Sequence, residues 1–166
     1  MIEIIGIYLI FSMLAVIWLD VTRYIIPNWL VGSVLALYPV VVLMSPVALD
    51  WQMALAAMGI VFAVGYVFFI LRWMGGGDIK LIIACSLWVG LGHLVDFIFV
   101  LSIIGGAFSL ALLFLRKAMP HIPNKSGKAL PRVLQVGAPV PYGVAIAAAF
   151  LLLMWQGQIQ GVTFGL

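Results

Sequence analysis

Charge is what this chain has least of. Only 8% of its 166 residues are Asp, Glu, Lys or Arg, against roughly 25% in a soluble domain. With 66% hydrophobic residues, that scarcity excludes an ordinary water-soluble globule. It leaves an integral membrane protein built as a single domain, residues 1–166. Cysteine is nearly missing as well. Cys85 stands alone, so an internal disulfide is excluded, and no Cys-x-x-Cys pair exists to hold zinc. No metal and no cofactor are expected. Basic residues are missing ahead of the first apolar run, where Glu3 is the only charge. That run is therefore expected to stay as a span and not to be removed as a signal peptide. The net charge of +3, eight Lys/Arg against five Asp/Glu, points to membrane topology and not to nucleic acid.

What is present is a succession of apolar runs. Six are candidate spans: Ile4–Leu19, Trp29–Met44, Trp51–Leu71, Ile79–Leu91, Leu94–Leu115 and Pro139–Trp155. The expected fold is all-α, a polytopic membrane protein with six transmembrane helices. A straight span needs about 20 apolar residues, which the third and fifth runs supply. The fourth is short. At about 1.5 Å per residue it covers roughly 20 Å of a hydrocarbon core about 30 Å thick. It is either a re-entrant hairpin or a crossing whose first residues are sunk below the surface.

The basic residues decide between these. Arg23 follows the first span, Arg72 and Lys80 bracket the turn after the third, and Arg116, Lys117, Lys125, Lys128 and Arg132 follow the fifth. Six crossings put all eight on one side, whereas a fourth run that does not cross would split them. The positive-inside bias favours six crossings, cytoplasmic odd loops and external termini. The long connection Arg116–Ala138 carries Pro120, Pro123, Asn124, Ser126, Gly127 and Pro131. It is expected to be irregular, and to set topology or contact anionic lipid more than to bind substrate. Ile26-Pro27-Asn28 recurs as Ile122-Pro123-Asn124, but three shared residues do not make a repeat.

Two acids stand apart. Asp20 ends the first span, and Asp78 begins the fourth after Gly75-Gly76-Gly77. An acid so near a span is a functional candidate, and glycine lets another backbone come close to it. The topology returns both acids to the cytoplasmic face. Two carboxylates held close do not both ionise readily and share a proton. The charged one can take a proton from water while the neutral one polarises a carbonyl. The plainer readings are an N-cap for Asp78 and, for Asp20, an interfacial acid paired with Arg23 three positions on.

Asp20-x-x-Arg23-x-x-Ile26-Pro27-Asn28, Gly75-Gly76-Gly77-Asp78-Ile79-Lys80-Leu81 and Pro141-Tyr142-Gly143-Val144-Ala145 together resemble the type IV prepilin peptidase family. Gly75, Gly77 and Asp78 match its Gly-x-Gly-Asp motif. The resemblance implies an intramembrane aspartyl endopeptidase of the bacterial inner membrane, with Asp20 and Asp78 catalytic. Its substrate would be a prepilin, cut at the cytoplasmic face between a basic leader and a hydrophobic helix. Gly75, Gly77, Lys80, Arg23, Pro27, Asn28 and Tyr142 would support the motif or the substrate groove. Many relatives carry a cysteine-rich cytoplasmic segment and N-methylate the new terminus. Here only Val21–Asn28 joins the first two spans, without cysteine. This is similar to the short, peptidase-only branch associated with Flp/Tad-type pili, so no methyl transfer is expected. Archaeal preflagellin peptidases share the Gly-x-Gly-Asp pattern.

Other residues have plainer roles. Cys85 reads as a small core residue, and Gly59, Gly105 and Gly106 as close helix packing. Asp96, three positions after His93, reads as an outer-interface acid. Tyr142 reads equally as an interfacial aromatic and as a groove lining. Lys80 points away from Asp78 on a helix and holds its neighbourhood positive. A rival function from another class is a small transporter or proton channel using the same acids as a relay. A relay needs polar residues through the bilayer centre, and spans three and five have few.

Overall fold

Backbone amides in lipid must be satisfied within the protein, which drives each apolar run into a helix. The computed structural model describes residues 2–118, 132–135 and 137–162. They form α1 (Ile2–Arg23), α2 (Asn28–Met44), α3 (Trp51–Ile70), α4 (Gly76–Val89), α5 (Leu94–Ala118) and α6 (Tyr142–Trp155), with a 3-10 turn at Arg132–Leu134 before α6. No strand occurs among the described residues. Three helices, α1, α3 and α5, are long and apolar enough to cross a membrane.

The helix ends follow local chemistry. Pro27, with φ fixed near −66°, stands at the N-cap of α2. The Asp50 carboxylate caps α3 by accepting the Met53 N–H at 3.3 Å. After α3 the Arg72 N–H donates to the Phe69 carbonyl and the Trp73 N–H to the Phe68 carbonyl, both at 3.0 Å. This pair of bonds stops the helix in a Schellman motif. Its left-handed position is taken by Arg72, φ 58°, where glycine is usual, at a cost of about 1–2 kcal/mol. The N-cap of α4 is Gly75, so Gly76, Gly77 and Asp78 form its first turn. The reading of Asp78 as an N-cap is thereby corrected. α6 begins at Tyr142 and not at Pro139, because Pro139 and Pro141 hold the preceding segment extended.

α4 and α6 form the centre. α4 packs against α2, α3, α5 and α6, while α6 packs against α1, α4 and α5. Every residue from Ala84 to Gly90 is buried, including Cys85 at 0% exposure. Protein therefore surrounds the short α4, which is why a helix too short for lipid is tolerated. Trp88 closes the far end of the bundle. Its Nε1 donates to the Val34 carbonyl at 3.0 Å, its ring meets Tyr38 edge to face at 5.3 Å, and its own carbonyl accepts the Gln160 N–H.

α1 carries two opposed stripes. Leu9, Met13, Val16 and Asp20 are buried, whereas Ile7, Phe11, Leu14 and Trp18 are exposed. Both follow the helical spacing of three and four residues. Asp20 thus occupies a core-facing position at the end of the buried stripe. α3 and α5 stand apart on the flank of the bundle. Between them lies an apolar cavity of about 580 Å³, bordered by Ile60, Val64 and Gly65 of α3, Ile79 of α4, Leu101 of α5 and Tyr142 of α6. Gly105 fits the close packing expected of it, with Ala145 and Tyr142 against it. Gly59 and Gly106 do not, since a side chain at either would meet nothing within 4 Å.

Candidate active site

The C-termini of α1, α3 and α5 and the N-termini of α2, α4 and α6 meet at one end of the bundle. Asp20 lies in the last turn of α1 and is only 5% exposed. Its Oδ2 accepts the N–H of Gly143 at 2.7 Å. Gly143 is the second residue of α6, whose N-cap, Pro141, offers no side-chain acceptor. The first N–H groups of a helix have no partner within it, so α6 takes its cap from another helix. The contact requires glycine. A Cβ at position 143 would stand 2.7 Å from Asp20 Oδ2, 3.1 Å from Asp20 Cγ and 3.0 Å from Ile26 Cδ1.

Asp78 stands three positions after the N-cap of α4, the position from which an acid reaches back towards the cap. It is half-buried, and its Oδ2 lies 3.1 Å from where a Gly75 side chain would begin. Any residue larger than glycine at 75 would press on the carboxylate. Asp78 follows Gly77 directly, and Asp20 is bonded to Gly143, so the two acids are linked through whatever side chain touches both glycines. Ile26 stands between their helices, 3.5 Å from a Cβ at Gly77 and 3.0 Å from one at Gly143. It seals the apolar side of the acid pair.

The neighbouring residues divide by role. Lys80 Nζ donates to Asn28 Oδ1 at 3.1 Å and so ties the start of α4 to the start of α2. Pro27 starts α2. Arg23 is exposed and makes no ion pair among the described residues. Asp20 is directed at Gly143 instead, which corrects the reading of an Asp20–Arg23 pair. Tyr142 is 42% exposed and borders the cavity between α3 and α5. At the opposite end, His93 Nδ1 and Asp96 Oδ2 pair at 3.2 Å, both exposed, away from the two acids. Among the described residues no group of three or more His, Cys, Asp or Glu is placed to hold a metal ion.

Three residues here were not singled out by the sequence. Gly143 lies in the Pro-Tyr-Gly stretch, where its residue type alone points to no role. Ile26 is an apolar neighbour of Pro27 and Asn28 and carries no signal of its own. Arg116 counts in the sequence as a topology charge, yet its guanidinium is engaged by backbone carbonyls. Pro120, Pro123, Asn124, Lys125, Ser126, Gly127, Lys128, Pro131 and the second Ile-Pro-Asn at Ile122 lie outside the described residues.

A helical membrane protein with two carboxylates gathered at one end of its bundle is the class that this geometry defines. The chain belongs to the type IV leader peptidase family, whose profile residues 7–110 match. The matched stretch holds Asp20, Ile26 and Asp78. Arg116 and Gly143 lie beyond it. Neither curated proteins nor solved structures yield a significant match.

Proposed function

We propose that this peptidase is an intramembrane aspartyl endopeptidase that removes the basic leader of a prepilin, with Asp20 and Asp78 as its catalytic pair. One observation carries the reading. Two acids 58 positions apart lie at one end of the bundle, where Ile26 packs against both Gly77, the neighbour of Asp78, and Gly143, the partner of Asp20, in a chain of the leader peptidase family. In the first step a carboxylate takes a proton from water and the water oxygen bonds to the scissile carbonyl carbon. The protonated partner donates to the carbonyl oxygen. In the second step the C–N bond breaks, the leaving amine takes the proton held by the first acid, and a hydroxyl of the tetrahedral gem-diol returns its proton to the partner, which leaves a carboxylic acid and restores the pair. Both acids sit at helix ends, which favours hydrolysis of a peptide at the membrane surface over a relay through the bilayer.

The finer assignments follow from sequence. The short Val21–Asn28 connection without cysteines favours a Flp/Tad-type prepilin and no methyl transfer. The one-sided basic residues favour six crossings of a bacterial inner membrane, with the acid pair facing the cytoplasm. Reporter fusions after Arg23, Arg72 and Ala118 are expected to read cytoplasmic, and fusions after Ala48 and Gly92 external. An external signal after Ala118 would mean that α4 does not cross, which would put the start of α6, with Gly143, on the opposite face from Asp20.

The direct test is cleavage of a prepilin with a basic leader and an apolar helix by the purified protein in lipid nanodiscs. Shortening of the prepilin is expected, and it should survive strong chelators, since the proposed chemistry uses carboxylates alone. Activity lost in a chelator and restored by zinc would count decisively against the acid pair. No cleavage of any basic-leader prepilin by folded protein would remove the substrate assignment.

A further inference from the structure

Arg116, in the last turn of α5, makes three hydrogen bonds with one guanidinium. Its Nε donates to the Val133 carbonyl at 3.0 Å, Nη1 to the Ala138 carbonyl at 2.7 Å and Nη2 to the Pro139 carbonyl at 2.9 Å. All three acceptors belong to the segment that leads into α6. Between Pro139 and Gly143 stand only Val140, Pro141 and Tyr142. Pro139 and Pro141 have restricted φ and no N–H, so little slack separates the held carbonyls from the Gly143 amide. That amide in turn holds Asp20 Oδ2 at 2.7 Å. Tyr142 lies against Gly105 of α5, so the same two helices are joined again just beyond the clamp.

We propose that Arg116 is a positioning residue for Asp20: by fixing the start of α6 it aims the Gly143 N–H that orients the Asp20 carboxyl. The proposal rests on the reading of Asp20 as one of the catalytic pair. A planar guanidinium presents five donors in a fixed fork, whereas a lysine ammonium is a point charge on a flexible stem. Lysine would preserve the topology signal but not a three-carbonyl clamp. This separates positioning from a merely topogenic charge. Misplacing a reacting group by about 1 Å can cost on the order of 100-fold in rate, and a loosened α6 start acts on Asp20 in that way.

The experiment compares wild type, Arg116→Lys and Lys117→Gln, each full-length in nanodiscs, on a synthetic prepilin with a basic leader and an apolar helix. For Arg116→Lys the expected kcat falls about 10- to 100-fold with KM within about two-fold. Amide hydrogen exchange in a peptide spanning residues 142–146 should quicken on the inserted protein. Lys117→Gln, which removes a charge from the same turn, should change neither. Unchanged kcat in Arg116→Lys overturns the proposal. So does a fall in kcat with no change in exchange at the start of α6, because Arg116 would then act elsewhere. If wild type cleaves no prepilin while exchange still quickens in Arg116→Lys, the clamp stands and the peptidase assignment fails. Should Arg116→Lys lower the inserted yield, the exchange of the inserted fraction still decides.

Discussion

Asp20→Asn and Asp78→Asn are each expected to abolish prepilin shortening while the protein still inserts and folds. The two substitutions keep side-chain size and remove the ability to cycle a proton. Positioned acid–base groups contribute about 10²–10⁴-fold, so residual cleavage should fall below the limit of a gel assay. In Asp20→Asn the amide side chain keeps an oxygen able to accept the Gly143 N–H that now reaches Asp20 Oδ2, and the α1–α6 junction should survive. Removing a charge near a span rarely impairs insertion. Asp50→Asn and Asp96→Asn are the controls. Asparagine caps a helix as well as aspartate, so α3 keeps its start, and Asp96 pairs only with exposed His93 at the far end. Both controls should cleave like wild type. The measurement is the fraction of prepilin shortened per unit of inserted enzyme. Substantial cleavage by a well-inserted Asp20→Asn or Asp78→Asn protein would end the aspartyl reading and return the relay hypothesis to the front.

Gly143→Ala should be nearly as damaging, although it adds one methyl group and removes no functional group. The new Cβ would stand 2.7 Å from Asp20 Oδ2 and 3.0 Å from Ile26 Cδ1, inside van der Waals contact on both sides. Asp20 can yield only by rotating away from the amide, and the start of α6 only by moving off α1. Either movement displaces the carboxyl by an appreciable fraction of an ångström, enough for a loss on the order of 100-fold. Gly32→Ala is the matched control, because a side chain there meets nothing within 4 Å. It should leave the rate unchanged and stabilise α2 by roughly 0.5–1 kcal/mol through its higher helix propensity. Wild-type cleavage by Gly143→Ala would show that the close approach to Asp20 has no part in catalysis.

Much of this arrangement was legible in the sequence because each part has a local cause. The apolar runs predict all six helices to within a few residues, since hydrophobic length is a local property. α1 runs four residues past its expected end, to Arg23, and Pro139 and Pro141 delay the start of α6 by three, to Tyr142. The meeting of Asp20 and Asp78 at one end follows from counting helices, since α2 and α3 lead the chain away and back. The burial of Asp20 could have been read more sharply. Leu9, Met13, Val16 and Asp20 share one helical stripe, and Trp18 faces the other way. The partners of Asp20 were not legible. A backbone amide carries no residue-type signal, and nothing in a lone sequence pairs Gly143 with Asp20. The role of Arg116 is hidden for a related reason. Counting basic residues finds the charge but does not distinguish a solvated arginine from one whose donors are taken by Val133, Ala138 and Pro139.

The hydrogen bond from Gly143 to Asp20 joins residues separated by 123 positions, and this has a meaning in time. At roughly 5–20 residues per second, synthesis delivers Gly143 on the order of ten seconds after Asp20. Through that interval Asp20 has been made and the amide that orients it has not. Asp78 and the body of α4 are also in place before α6. The acid pair therefore waits on a helix made late, and a nascent chain holds both carboxyls without the alignment that α6 supplies. If the pair acts as proposed, assembly order would keep the growing polypeptide inert until α6 has joined the bundle.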